Sequence, residues 1–404
     1  MRVGIHCLCT HPAYKGGVNS VTFGLLDAFA RVGAPHEFKV FVTPWNRQLF
    51  ERYESVPNFD LVEVSGLDHR WLRAIQRRLP APLEARVPLD PPSVVLNARQ
   101  AEAVQREADV LYVPYVPPPD ILPLPDVPTV YSLHDIQHVH YPEFFTREEL
   151  LEREVRFERT VEHAAAVQAN CRYMARDFRA HFPKLNESNV EVIPTGVDLS
   201  LFSAPLPELD VIARHRLPGS FLFTPAQLWP HKNHLTVLKA LKRLKERGLV
   251  LPWVLTGEKY RAADAIFDFV RDNELDEQVF YLGVVPLDDL IGLYQSARFL
   301  VTASLHESSS LPILEAAAAG TPVIAARIPP HEEMAEQLEM RLFAPTDDAE
   351  LADVLAEAWT ADEETNAAQA AANRASVQHY SWDNAARLYI RLFERVHREA
   401  GAVL

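Results

Sequence analysis

Short apolar runs rich in β-branched and aromatic residues alternate with longer amphipathic stretches along the whole chain. Val3 to Leu8, Glu37 to Val42, Phe59 to Val64, Asp109 to Tyr115, Val127 to Leu133, Ala166 to Ala169 and Val190 to Ile193 have the length of buried strands and are too short for independent helices. Between them, Ser20 to Arg31 places Val21, Leu25, Leu26 and Phe29 at helical spacing behind Asn19 or Ser20 as cap, and Thr146 to Ala164 reads as a long charged helix. The second half repeats the scheme. Phe221 to Ala226, Trp253 to Glu258, Val279 to Val284, Phe299 to Ala303, Thr321 to Ala325 and Arg341 to Pro345 are strand-like. A helix runs through Arg247, and a last one starts at Tyr380 to Asn384 with Ser381 as cap. Strands alternating with helices form βαβ crossovers, hence parallel sheets.

Length changes this picture from one sheet to two. A chain of 404 residues is too long for one ordinary core, and its 48% hydrophobic and 24% charged residues describe a globular protein. No run reaches the ~18 apolar residues of a membrane span, and Met1 to Cys7 has no signal-peptide pattern, so the expected location is the cytoplasm. Cys7, Cys9 and Cys171 fit neither a disulfide framework nor a metal-ligand spacing. A net charge of −15 argues against non-specific nucleic-acid binding. The prolines gather in connections, at Pro80 to Pro92, Pro114 to Pro128 and Pro205 to Pro218. One basic amphipathic helix, His69 to Leu79, sets Arg70, Arg73, Arg77 and Arg78 against Trp71, Leu72, Ile75 and Leu79. It is either a surface helix packed on its own domain or a weak contact, through 69–80, with an anionic acceptor or the inner face of a membrane.

Candidate chemistry centres on Arg298 to Ala326. A strand ending at Ala303 leads through a polar loop to Pro312, suited to the first helical turn, and to Gly320, suited to the helix stop. The loop and helix start then lie at the carboxyl edge of a parallel sheet, the usual ligand position. Amides from Ser308 to Leu311 can receive a phosphate there. Glu307 and Glu315 would be repelled by that phosphate unless they accept hydroxyl hydrogens, so sugar or ribose hydroxyls are their natural partners. Taken singly, Glu315 reads as an acid favoured in a first turn and Glu307 as a solvated loop charge. Gly16 and Gly17, between the first strand and its helix, allow close approach of a diphosphate, although a plain turn explains a glycine pair as well. His134 ends a strand and faces a crevice, where it can bond a sugar hydroxyl or respond to charge near neutral pH, unless it is a packed or capping histidine. Lys232 precedes a helix and can place an ammonium on a leaving diphosphate, or be one more surface lysine.

The block HESSSLPILEAAAAGTPVIA, with its Glu-x7-Glu spacing, resembles the signature of glycosyltransferase family 4, retaining enzymes of GT-B fold. Further ordered motifs extend the resemblance over nearly the whole chain: the Gly16-Gly17-Val18 loop, the SLHDIQHVHYPEFF segment, the Pro194-Thr195-Gly196-Val197-Asp198 turn and the loop before Lys232. The resemblance implies two Rossmann-like α/β domains facing across a cleft, 1–198 on the acceptor side and 199–381 on the nucleotide-sugar side, with a helix from about 382 to 404 returning to the first. It implies transfer of a hexose from a nucleotide diphosphate sugar, with retention, to a glycan, lipid-linked or small-molecule acceptor, as in polysaccharide biosynthesis. The segment around His134 is similar to that of bacterial mannosyltransferases, which inclines the donor toward GDP-mannose. It gives His134 and Glu307 to the sugar, Glu315 to the ribose, and Lys232, Gly16, Gly17, Ser309, Ser310 and Leu311 to the diphosphate. Backbone at Val284 would face the base. There is no D-x-D cluster to chelate a metal and no cofactor beyond the donor substrate. Two positions depart from the pattern. Gln227 stands where the family has arginine, an amide that donates hydrogen bonds without charge, and Ser308 to Ser310 replace Gly-Phe-Gly. A nucleotide-sugar epimerase of the same fold and a non-catalytic nucleotide-sugar binder are the alternatives, while the missing G-x-G-x-x-G disfavours a dehydrogenase.

Overall fold

The computed structural model describes residues 1–10, 17–64, 98–117, 127–206 and 210–402. Gly16, the basic helix expected over 69–79 and the prolines from 80 to 92 lie outside them. The chain divides into two compact units, Met1–Pro194 with Trp382–Leu404, and Thr195–Ser381.

The first unit holds β1 (Arg2–His6), β2 (Glu37–Val42), β3 (Phe59–Glu63), β4 (Val110–Val113), β5 (Thr129–Ser132), β6 (Ala166–Ala169) and β7 (Val190–Val192). They pair in parallel in the order β3-β2-β1-β4-β5-β6-β7. β4, β5 and β6 are buried at every position, as expected of strands covered on both faces. Val3, Ile5, Phe29 and Phe38 form one core with Tyr389 and Phe393 of the terminal helix, Trp382–Gly401. That helix lies so close to the Gly17–Val32 helix that a Cβ at Gly24 would meet the Trp382 indole at 2.3 Å. Arg31 pairs with Asp383 at 2.6 Å, and the Tyr389 and Ser132 hydroxyls bond at 2.9 Å.

The first helix starts at Gly17 rather than Ser20. Thr22 Oγ1 already donates to Val18 O at 2.9 Å, so Asn19 and Ser20 sit inside the first turn and do not cap it. Thr146, by contrast, caps the Arg147–His163 helix through a reciprocal bond with Glu149.

The second unit holds β8 (Leu222–Pro225), β9 (Trp253–Thr256), β10 (Val279–Tyr281), β11 (Phe299–Thr302), β12 (Val323–Ala326) and β13 (Arg341–Phe343). Its parallel order is β10-β9-β8-β11-β12-β13. β8 and β11 are neighbours although two strands separate them in sequence. The order reverses there, and the crevice outside the carboxyl ends of such a pair is where open α/β sheets take ligands. β10 stops before its apolar run does: the regular pairing with β9 ends at Tyr281, and Gly283 has φ +67°. Among the described residues no helix is long and apolar enough to cross a membrane.

Candidate donor site of the second unit

The loop after β8 enters a short 3-10 turn, Pro230–Lys232, and then a left-handed residue, Asn233, with φ 55°. Asparagine tolerates that conformation better than most side chains. Its Nδ2 donates to Ala303 O at 3.1 Å and Pro345 O at 2.7 Å, and its Oδ1 accepts from Thr236 Oγ1 at 2.9 Å. Leu305 N donates to His231 O at 2.8 Å. The loops after β8 and β11 are thereby fastened side by side across the strand-order reversal.

The consequence is a short ion pair, in which Lys232 Nζ donates to Glu307 Oε1 at 2.5 Å. The side chains retain 21% and 12% exposure, so screening by solvent is weak. Burial pushes the Glu307 carboxyl up, but the charges of Lys232 and His231 and bonds from Lys232 and Ser304 outweigh it and leave the group below its ordinary value. Glu307 is therefore ionised at neutral pH.

Ser310 and Pro312 open the Leu311–Ala319 helix, and Gly320 closes it with φ 81°. The Ser310 side chain caps nothing, and its fully buried hydroxyl has no hydrogen-bond partner, a cost of about 1–3 kcal/mol unless a ligand satisfies it. Ser309 and Leu311 are half-buried. Glu315 is the fifth residue of the helix, beyond the first turn, which removes the reading as a first-turn acid. Its Oε2 accepts from Tyr294 Oη at 2.5 Å. Burial raises the Glu315 carboxyl to about 7, with the Tyr294 bond opposing the rise, and burial beside Glu315 holds the Tyr294 phenol well above its usual range. A glutamate half protonated at neutral pH and bonded to a buried tyrosine is poised to exchange partners.

The remaining candidates are spread more widely. Gln227, just after β8, accepts from Trp229 Nε1 at 3.0 Å. Val284 follows β10 and is 47% exposed. Gly17 is the exposed first residue of its helix in the first unit. His134, at the end of β5, shares a 2.8 Å bond with Pro114 O. Because a carbonyl only accepts, Nε2 carries the hydrogen and Nδ1 keeps the lone pair. Burial lowers the His134 pKa, so the imidazole stays neutral at pH 7 and does not act there as the charge sensor its position suggested.

Three contributors have no sequence pattern to announce them. Asn233 sets the loop carrying Lys232, and Tyr294 holds Glu315. Buried His331 donates from Nδ1 to Ala326 O at 2.8 Å, within the electrostatic reach of Glu307 and Lys232. Among the described residues no three His, Cys, Asp or Glu side chains are placed to hold a metal ion.

Comparison with known proteins agrees with this layout. Residues 15–201 match the model of Glycosyltransferase Family 4, and residues 210–375 match that of Glycosyl transferases group 1. The O-antigen chain mannosyltransferase B of Escherichia coli is 29% identical over 269 residues, 65% of this chain and 67% of that protein. A D-inositol 3-phosphate glycosyltransferase of Pseudarthrobacter chlorophenolicus is 30% identical over 211 residues, 50% of this chain and 49% of its own length. The match thus spans two thirds of the first relative and about half of the second. The solved structure of Anabaena Alr3699/HepE in complex with UDP and glucose superposes with a TM-score of 0.70 over 98% of this chain and 100% of that one, at 19% identity. Two wholly parallel α/β units, one matched by each model, identify the chain as a member of glycosyltransferase family 4 with the GT-B fold.

Proposed function

We propose that the chain transfers a hexose, with mannose favoured, from a nucleotide diphosphate sugar to a glycan, lipid-linked or small-molecule acceptor, with retention at the anomeric carbon and without a bound metal. The observation that carries this reading is the Lys232–Glu307 pair across the β8/β11 reversal, with Glu315 eight residues further on. Mannose is favoured by the O-antigen mannosyltransferase among the relatives and by the segment around His134.

In this reading Lys232 and the amides from Ser308 to Leu311 hold the diphosphate, where negative charge grows as its bond to the anomeric carbon breaks. The Ser310 hydroxyl gains a phosphate acceptor. Gly16 and Gly17 are assigned to the diphosphate as well. Glu315 gives up Tyr294 for ribose hydroxyls, and Val284 backbone faces the base. Glu307, released as Lys232 turns to phosphate, accepts hydroxyl hydrogens from the sugar, and His134 Nδ1 accepts another. Ion pair and donor thus compete for the same two charges, which makes donor binding an exchange of partners. The assigned location is the cytoplasm, at the inner membrane face if the 69–80 segment meets anionic lipid.

The test is to incubate the protein with GDP-mannose, UDP-glucose and UDP-galactose, with and without candidate acceptors, and to follow the anomeric proton by NMR. A product with the donor's anomeric configuration supports the reading. Conversion of the donor sugar with no acceptor present would favour an epimerase, and saturable binding without turnover under any condition a nucleotide-sugar sensor.

A further inference from the structure

In the first sheet, β1 and β4 are neighbours although β2 and β3 separate them in sequence. This unit therefore has a strand-order reversal of its own, with the crevice that goes with it at the carboxyl ends of the two strands. Two side chains stand there that the donor reading leaves unused. His6 is the last residue of β1, and Tyr115 lies two residues beyond the end of β4. Tyr115 directly follows Pro114, whose carbonyl anchors His134.

The phenol oxygen is held from two sides. His6 Nδ1 lies 2.6 Å from Tyr115 Oη, and Cys9 N donates to the same oxygen at 3.2 Å. Cys9 sits in a turn closed by Thr10 N donating to Cys7 O at 3.1 Å, and Asn46 Nδ2 clamps that turn through Cys7 O at 2.8 Å and Thr10 O at 3.0 Å. His6 is fully buried, and its Nε2 has no hydrogen-bond partner. Burial lowers the His6 pKa to about 4, so the ring is neutral at pH 7 and carries one hydrogen. On Nε2 that hydrogen would be a buried donor without an acceptor, the rarer kind of orphan. On Nδ1 it is used, donating to Tyr115 Oη. Both lone pairs of the phenol oxygen are then taken, by His6 and by Cys9 N, and the oxygen has only its own hydrogen to offer. Burial, with Cys9 and Cys7 nearby, holds the phenol well above its usual range, so that hydrogen stays in place at neutral pH. The Cys9 thiol beside it is a weak acceptor, which a hydroxyl oxygen displaces.

We propose that Tyr115, half-buried and set by His6, donates its hydrogen to a hydroxyl oxygen of a sugar or polyol acceptor at the strand-order reversal of the first unit. The assignment rests on the glycosyl-transfer reading above and names an acceptor contact for it. Neither member of the pair is charged at pH 7, so a neutral hydroxyl suits them better than a phosphate, whose strong bonds are charge-assisted. His6 is a positioning residue: its buried Nε2 meets no ligand, and it acts through the direction it imposes on the phenol hydrogen.

The experiment is an NMR titration of the full chain, carrying isotope-labelled histidine, with mannobiose, myo-inositol and inorganic phosphate, beside titrations with UDP and GDP. Wild type, Tyr115→Phe, His6→Asn and His6→Leu are compared, because asparagine places an amide N–H where His6 has Nδ1 and leucine places none. Wild type is expected to show His6 with its hydrogen on Nδ1 and to bind at least one of the two neutral probes. That probe is expected to bind about 10-fold more weakly to Tyr115→Phe and His6→Leu, and within about threefold of wild type to His6→Asn, the reverse of the order that packing in an apolar site would give. Nucleoside diphosphate affinity is expected to be the same in all four proteins. A hydrogen on Nε2, wild-type probe affinity in Tyr115→Phe, or binding of phosphate but of neither neutral probe would overturn the assignment while leaving the donor reading in place. So would a wild type that binds none of the three. Failure of the wild type to bind either diphosphate would instead overturn the donor reading.

Discussion

The Glu315 carboxyl shows how surroundings give a residue a property that its type alone does not specify. Burial lifts its carboxyl from the ordinary 4.5 to about 7, so between those values the folded protein holds a proton that the unfolded chain has lost. Stability from this group is full below pH 4.5 and declines as pH rises through about 7. Glu315→Gln removes the titration but keeps an acceptor for Tyr294. Its melting temperature relative to wild type is therefore expected to rise between pH 5 and pH 8, by the equivalent of about 1–3 kcal/mol. Parallel pH series of thermal melts check this, and a constant difference would show that Glu315 is ionised throughout. His134 illustrates the opposite limit, in which a visible candidate turns out to have one atom to offer. With Nε2 committed to Pro114 O, only the Nδ1 lone pair can act. His134→Ala should lower the transfer rate about 10²-fold with little change in affinity for the free diphosphate, and His134→Asn, which keeps an acceptor, should recover part of the loss. Donor consumption and a nucleotide titration, run side by side, measure both. A rate within threefold of wild type for the alanine variant would return His134 to a packing role. Residue types and the Glu-x7-Glu spacing were legible in the chain. The partners were not, because Tyr294, Asn233 and His331 reach the site only through the way the sheet is folded.

At the scale of elements, apolar periodicity located the strands to within three residues at each end, since a run buried on both faces admits few readings. Ends were less legible. Val279 to Val284 reads as one strand, yet regular pairing stops at Tyr281, and the first helix begins two or three residues before its expected cap. The Leu311–Ala319 helix was readable at both ends, from Pro312 and Gly320, but not the state of its cap. The Ser310 hydroxyl is buried and unsatisfied, so Ser310→Ala should leave stability unchanged or raise it by about 1 kcal/mol, while weakening nucleoside diphosphate binding. Denaturant melts and a UDP or GDP titration separate the two effects. A destabilised variant with unchanged affinity would make Ser310 a structural cap.

For the whole molecule, two parallel sheets, each with a reversal in its strand order, explain why the chain reads as two similar halves. The second unit's site can be tested by itself: an ion pair, a glutamate half protonated at neutral pH on a tyrosine and a buried hydroxyl without a partner are what a ligand with phosphates and hydroxyls would meet there. Binding such a ligand would stabilise the fold by ~2.7 kcal/mol at ~100 times its dissociation constant. The most direct measurement is thus a thermal-shift panel of nucleotide diphosphate sugars on wild type and Glu315→Ala. A subset of donors sharing one base is expected to raise the wild-type melting temperature by several degrees, and the variant to lose most of this shift. No shift with any donor, or the same shift in the variant, would contradict the donor site assigned to the second unit.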